Sequence, residues 1–160
     1  MRVIKDILSE GLIKKQAGVD MKTKIENWLK ENEIEDYEIN SDLTIDVDTD
    51  KSISIEGDLP EYIQFKNVNC FRFDWYGPTT LKGGPIGLAC RYSFNVTSKE
   101  LETLEYCPKV IRCKFNFSGC PSLKTLKHLP NNCSVYIDRL DFEYLIKNVW
   151  GVKVHIEQYS

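Results

Sequence analysis

Pro85-Ile-Gly-Leu-Ala-Cys90-Arg-Tyr-Ser-Phe94 and Pro108-Lys-Val-Ile-Arg-Cys113-Lys-Phe-Asn-Phe117 share one pattern. A proline opens each stretch, and a cysteine, an aromatic and a phenylalanine then alternate with polar residues. A shortened third copy runs Pro130-Asn-Asn-Cys133-Ser-Val135-Tyr-Ile137. The prolines Pro85, Pro108 and Pro130 are 23 and 22 residues apart, and Pro60 lies 25 residues before Pro85. Leucine segments precede two of them, Leu101-x-x-Leu104-x-x-Cys107 and Leu123-x-x-Leu126-x-x-Leu129. A degenerate earlier copy runs from Leu59-Pro60 through Cys70, Phe71 and Phe73 to Leu81, with Cys70 one step out of phase with the two phenylalanines. Self-similarity at a period in the twenties is the mark of a solenoid. Each unit offers one strand with alternate residues inward, and the leucine segment brings the chain back. One coil cannot bury its apolar face alone, so coils stack and their strands form a parallel sheet.

Outward from the repeat, the chain supplies its own ends. Asp20 suits a helix N-cap, and Met21, Ile25, Trp28 and Leu29 then form an apolar face to about Asn32. Leu43–Asp48 alternates as a half-buried strand, and Ser52–Ile55 is expected as its hairpin partner, with 33–41 as a linker. At the far end Phe142, Leu145, Ile146 and Val149 make a helical face ended by Gly151, followed by an alternating strand at 152–156. Before all of this, Val3, Ile4, Ile7, Leu8 and Leu12 form one apolar stripe, which Gln16–Val19 interrupts. The expected organisation is an amphipathic arm at 1–19, an acidic helix-and-hairpin cap at 20–58, a solenoid at 59–140 and a C-terminal cap at 141–160. The expected fold class is α+β, a solenoid of about three to four coils.

Composition sets the outer bounds. The chain has 160 residues, 42% of them hydrophobic and 28% charged, which is globular rather than disordered. No apolar run approaches the roughly 20 residues of a membrane helix, and residues 1–15 lack the apolar core of a signal peptide. Six Cys without a secretory signal read as reduced thiols. The net charge of −3 is uneven: residues 1–19 carry +2, residues 20–61 carry −10 and residues 62–160 carry +5.

Two resemblances add to this. Leu8-Ser9-Glu10 followed by Gly11, at the end of an amphipathic leader, resembles the processing site of prohead-targeted internal proteins of T-even-like tailed phages. The resemblance implies cleavage after Glu10, with Leu8, Glu10 and Gly11 as the recognised residues. The wording Leu43-Thr-Ile-Asp-Val-Asp, Leu-Pro, Cys-Lys-Phe-Asn-Phe-Ser-Gly and Ser-Leu-Lys-Thr-Leu-x-x-Leu-Pro is similar to leucine-rich-repeat-like proteins of large tailed phages. It covers about 22–140 and implies a leucine-rich-repeat-like fold and a phage origin. It implies no reaction.

The chemistry-bearing residues are few. Cys90, Cys113 and Cys133 fall at inward ladder positions, where a small buried hydrophobe suits. No CxxC pair is present, so a zinc site has no support from spacing. His128 and His155 have no nucleophile in a recognisable motif. Asp46, Asp48 and Asp50 mimic the start of a calcium loop, but Lys51 and Gly57 stand where glycine and glutamate are needed, so alternation on a strand explains the aspartates. No catalytic residue, metal ligand or cofactor is assigned. The outward strand positions are the candidate binding face: Arg72, Arg91, Asn95, Arg112, Lys114, Asn116 and Tyr136. In strict register Arg91, Arg112 and Lys114 would sit at equivalent positions. The expectation is a non-catalytic repeat module that binds a protein partner, a host protein in the host cytoplasm, as a takeover or anti-defence factor. The alternatives are an internal virion protein packaged through the leader, and, less favoured in so acidic a chain, a nucleic-acid-binding module. No membrane partner is expected.

Overall fold

The computed structural model describes residues 2–131, 133–137 and 153–156. One helix, α1 (Arg2–Glu31), precedes nine strands among the described residues. They are β1 (Tyr37–Ile39), β2 (Ile45–Asp48), β3 (Ile53–Glu56), β4 (Phe65–Cys70), β5 (Phe73–Tyr76), β6 (Gly87–Thr97), β7 (Val110–Gly119), β8 (Ser134–Ile137) and β9 (Lys153–Ile156). Apart from the antiparallel β1–β2 pair, every pairing is parallel between successive coils. The result is a β-solenoid of about four turns with one N-terminal helix.

The strand residues divide as the alternation requires. Ile45 and Val47, Ile53 and Ile55, Phe94 and Val96, and Phe115 and Phe117 are buried. Leu81, Leu101, Leu104, Leu123 and Leu126, from the return segments, join the same core. Phe73, Phe94 and Phe115 stack as one aromatic column, with centroids 5.4 Å apart at each step and edge-on geometry. Such edge-on pairs add about 0.5–1.5 kcal/mol beyond area burial.

The turns repeat as well. Gly83, Tyr106 and His128 each stand two residues before a proline, and each adopts positive φ, 84°, 66° and 85°. The amide after each of them bonds back to a leucine carbonyl three residues earlier: Gly84 to Leu81, Cys107 to Leu104 and Leu129 to Leu126. His128 therefore serves a turn.

The structure corrects several expectations. β2 and β3 are not hairpin partners. β2 pairs in parallel with β4, and β3 with β5, so residues 45–56 are the first coil of the solenoid. The hairpin present is β1–β2, and its first strand lies in the expected linker. The helix runs through Gln16–Val19 without the expected break, so Asp20 is inside it and caps nothing. A Schellman-type end stops it instead: Ile34 N–H bonds Leu29 C=O, Glu33 N–H bonds Lys30 C=O, and Glu33 takes φ 58°. Ile25 and Leu29 are fully buried and Trp28 packs edge-on against Phe65, so the last turns of α1 close the open end of the core. The expected C-terminal helix lies outside the described residues. β9 lies within the expected strand and pairs with β8.

The register of the early copies is also settled. Cys70 and Phe73 are both buried because β4 ends before Phe71-Arg72 and β5 begins after, so a kink absorbs the phase change. In β6 the kink is an internal bulge. Ala89 pairs with Arg112 and Ser93 with Lys114, so β6 carries two residues that β7 does not match. Phe94 therefore stacks over Phe115, and the plain alignment of Phe94 with Phe117 slips by two. Tyr92, expected inward, is 63% exposed, whereas Ser93, expected outward, is buried.

Candidate functional site

The kink divides the outer sheet face into two concavities. Along the kink, Phe71 N–H bonds Lys51 C=O and Tyr92 N–H bonds Phe71 C=O. Phe71 and Tyr92 are both solvent-exposed and stack nearly parallel, with centroids 6.2 Å apart at 13°. They form an aromatic ridge.

On one side of the ridge lies a concavity of about 300 Å³. Arg91, Asn95, Lys114, Asn116 and Tyr136 line it, all of them expected from the outward pattern. The Lys114 ammonium sits 5.8 Å from the centre of the Tyr136 ring, within cation–π range. Among the described residues no carboxylate lies within 4.0 Å of Lys114. Arg91 is different: its guanidinium pairs with Asp50 at 2.6 Å.

Two expected residues are placed elsewhere. Arg72 Nε lies 2.7 Å from the buried Asp74 carboxylate, though its N–H is not aimed along that line. Asp74 also accepts a 2.6 Å bond from Asn95 Nδ2. Arg112 lies on the far side of the ridge and lines the second concavity. The expected row of like charges does not exist, because Arg91 occupies the bulge, Arg112 faces Ala89 and Lys114 lies between Ser93 and Ser134.

The second concavity, of about 660 Å³, was not foreseen. Its walls come from β1 and β2 on one side and Arg112 on the other, and its floor from β4 and β6. Asp46 accepts bonds from Asn40 Nδ2, Asn67 N–H and Asn67 Nδ2, and these hold its carboxyl below the ordinary 3.8. Asp48 accepts from Asn69 Nδ2 at 2.8 Å. Farther round the coil, burial works against ionisation at Asp58. Bonds from the Thr79 hydroxyl and the Thr79 and Thr80 amides outweigh it and keep that pKa low. Asp46–Asn67, Asp48–Asn69, Asp58–Thr79 and Asp74–Asn95 are all 21 residues apart. The signal for this polar ladder was present in the sequence, as acceptors recurring one coil before their donors.

The cysteines form a reduced column. Cys70 and Cys90 sulfurs are 3.6 Å apart, a contact far longer than the about 2.0 Å of a disulfide. All six thiols are free. A hydrogen bond from Cys90 lowers the pKa of Cys113, while that same bond, the contact with Cys70 and burial push Cys90 up. Burial, with a smaller push from Cys113, raises Cys133 to about 11. Among the described residues no group of three His, Cys, Asp or Glu has the arrangement to hold a metal ion. No described helix is long and apolar enough to cross a membrane. Leu8, Glu10 and Gly11 lie within α1 on helical backbone, so a protease would have to meet them unwound.

The geometry defines a β-solenoid with two concavities on one sheet face. No protein family, no curated protein and no solved structure matches the chain.

Proposed function

We propose that the chain is a non-catalytic repeat protein, leucine-rich-repeat-like and of tailed-phage origin, whose sheet face binds a protein partner. The observation that carries this reading is the convergence of Arg91, Asn95, Lys114, Asn116 and Tyr136 on one concavity beside an exposed aromatic ridge. A cation without a described counter-ion, a tyrosine and two carboxamides suit a partner surface that offers carboxylates and carbonyls. The phage-like wording of the repeat supports a host protein in the host cytoplasm as that partner.

The test compares capture of bacterial host proteins by the immobilised parent chain and by Lys114→Ser and Tyr136→Ser variants. The reading expects one host protein held by the parent at low salt, lost from both variants and weakened as salt rises. Equal capture by parent and variants would overturn it. The stacked Phe71 and Tyr92 also favour a second reading, since exposed aromatics beside a cation stack nucleobases. Retention of a fluorescent single-stranded oligonucleotide that is lost in Tyr92→Ser would support that alternative.

A further inference from the structure

The larger concavity has a chemistry of its own, and it runs in one direction across the strands. Register places Asp48, Asn69, Ala89 and Arg112 in one outward row, and Glu38, Asp46, Asn67 and Gly87 in the next. The row therefore passes from carboxylates, through carboxamides, over the two smallest side chains, to a guanidinium. The hollow exists because of Gly87 and Ala89. A Cβ at Gly87 would stand 2.7 Å from Asn67 Oδ1 and would push that carboxamide aside. The same geometry shows that this carboxamide oxygen overhangs the open floor, because Asn67 Nδ2 is already given to Asp46.

Several of the wall groups are already committed. Asp46 accepts three bonds from Asn40 and Asn67, and Asp36 accepts from the Thr49 hydroxyl at 2.8 Å. Asp48 uses only Oδ1, toward Asn69, and Glu38 has no ion pair among the described residues. Arg112 likewise has no carboxylate within 4.0 Å among the described residues. The uncommitted groups are thus acceptors at the β1–β2 end and one cationic donor at the β7 end. A nucleic acid is disfavoured there, because its phosphates would face Glu38 and Asp48.

We infer that this groove binds an extended segment of a protein partner lying across the strands, with a lysine or arginine over Glu38 and Asp48 and a carboxylate about four residues further on against Arg112. The length follows from the sheet. Asp48 and Arg112 are three strand spacings apart, about 14 Å, which an extended chain spans in about four residues. Backbone N–H groups of the segment would meet the Asn67 and Asn69 oxygens over the low floor. This inference rests on the protein-binding reading and adds a second, oppositely poled subsite to the same face.

The test is a titration of the isotope-labelled full chain followed by amide NMR. The probes are a capped pentapeptide with lysine first and glutamate fifth, the same peptide with glutamate first, the same with glutamine fifth, spermidine, and an oligothymidine. The first peptide is expected to shift Asn69, Gly87, Ala89 and Arg112 saturably. Loss of either charge in the peptide, or Asp48→Asn or Arg112→Gln in the protein, is expected to weaken it by about tenfold, the effect of one close charge pair. Ala89→Gln, which fills the hollow and leaves every charge in place, is expected to abolish the shifts. No saturable shift with the first peptide, equal shifts with all three peptides, or a response to spermidine or oligothymidine alone would overturn the inference. Partner capture that survives Ala89→Gln but is lost with Lys114→Ser would reject this subsite and leave the protein-binding reading standing.

Discussion

The first two coils and the last two solve one problem differently. In β2–β3 and β4–β5 the strand breaks at the kink into two short pieces, separated by Thr49–Ser52 and by Phe71-Arg72. In β6 and β7 it runs unbroken for 11 and 10 residues. From the rung of Asp48, Asn69, Ala89 and Arg112 to the inward column after the kink, the chain takes five residues to Ile53, four to Phe73, five to Phe94 and three to Phe115. Side chains alternate with period two, so an odd insertion flips every later residue to the other face unless the backbone bends. The second coil, the one out of phase, bends at Phe71-Arg72, the first breaks at Thr49–Ser52 with its phase intact, and β6 bulges outward to keep its own. The outer face inherits the difference: carboxylates and carboxamides stand before the kink in the early coils, and cations gather in the later ones.

Phe94 and Tyr92 offer the sharpest way to break this comparison. Strict alternation makes them equivalent, yet Phe94 is fully buried in the aromatic column and Tyr92 is 63% exposed on the ridge. Phe94→Ala is expected to cost about 3–5 kcal/mol. Tyr92→Ala is expected to cost under about 1.5 kcal/mol, the order of one exposed stacking contact. Urea unfolding of both variants measures the gap. Equal losses would mean that the bulge is not there and β6 alternates throughout.

A smaller effect separates the polar ladders. Asp46 is held below its ordinary 3.8 by Asn40 and Asn67. A carboxylate with a depressed folded pKa contributes stability above the unfolded value, and that contribution is lost as pH falls through the folded one. Asp58 and Asp42 are shifted the same way, Asp42 by the Thr44 hydroxyl and amide. Thermal melts are therefore expected to fall as pH drops below about 3.8. Asp46→Asn is expected to melt lower than the parent at pH 6 and to lose less between pH 6 and pH 3. Asn67→Ala, which leaves Asp46 with fewer donors, is expected to cost about 1 kcal/mol at pH 6. A parent whose melting temperature does not change with acid would place the ladder's weight elsewhere.

These contrasts show where sequence reading succeeds in this molecule. The parallel coils, the inward cysteines and the leucine returns follow from one period. Between Lys114 and Asn116 β7 carries no insertion, and β8 pairs with that stretch in step, so Lys114, Asn116 and Tyr136 stand where alternation puts them. Arg91 and Arg112 also face outward, but not at equivalent positions, and Tyr92 turns out instead of in, because a two-residue bulge is invisible to any pattern that aligns Cys90 with Cys113 and counts on. The first coil was misread as a hairpin because Ile45–Asp48 and Ile53–Glu56 alternate equally well in either pairing. Only the partner strands one period later distinguish the two, and the 21-residue spacing of Asp46 to Asn67 and Asp58 to Thr79 was the clue. The larger groove was missed because two absences of side chain, Gly87 and Ala89, make it. The helix continued through Gln16–Val19 because none of those residues except Gly18 opposes helix strongly.

The smallest effect concerns the turns. Gly83, Tyr106 and His128 hold one conformation in three successive coils, with φ of 84°, 66° and 85°. A non-glycine residue there pays a steric penalty of about 1–2 kcal/mol, and glycine gives back about 0.5–1 kcal/mol through unfolded-chain entropy. Tyr106 is 52% exposed and His128 is exposed too, so truncation removes little packing. Tyr106→Gly and His128→Gly are each expected to stabilise the chain by about 0.5–1 kcal/mol. The early turn is expected to respond in the opposite direction. A Cβ at Gly83 would stand 2.5 Å from the Ile63 carbonyl oxygen, a backbone atom that cannot turn aside. Gly83→Ala therefore adds a clash to the φ penalty and is expected to cost more than either glycine substitution gains. If urea midpoints moved down for Tyr106→Gly and His128→Gly, the two side chains would be holding contacts that outweigh their strained backbone, and the later turns would not be copies of the first.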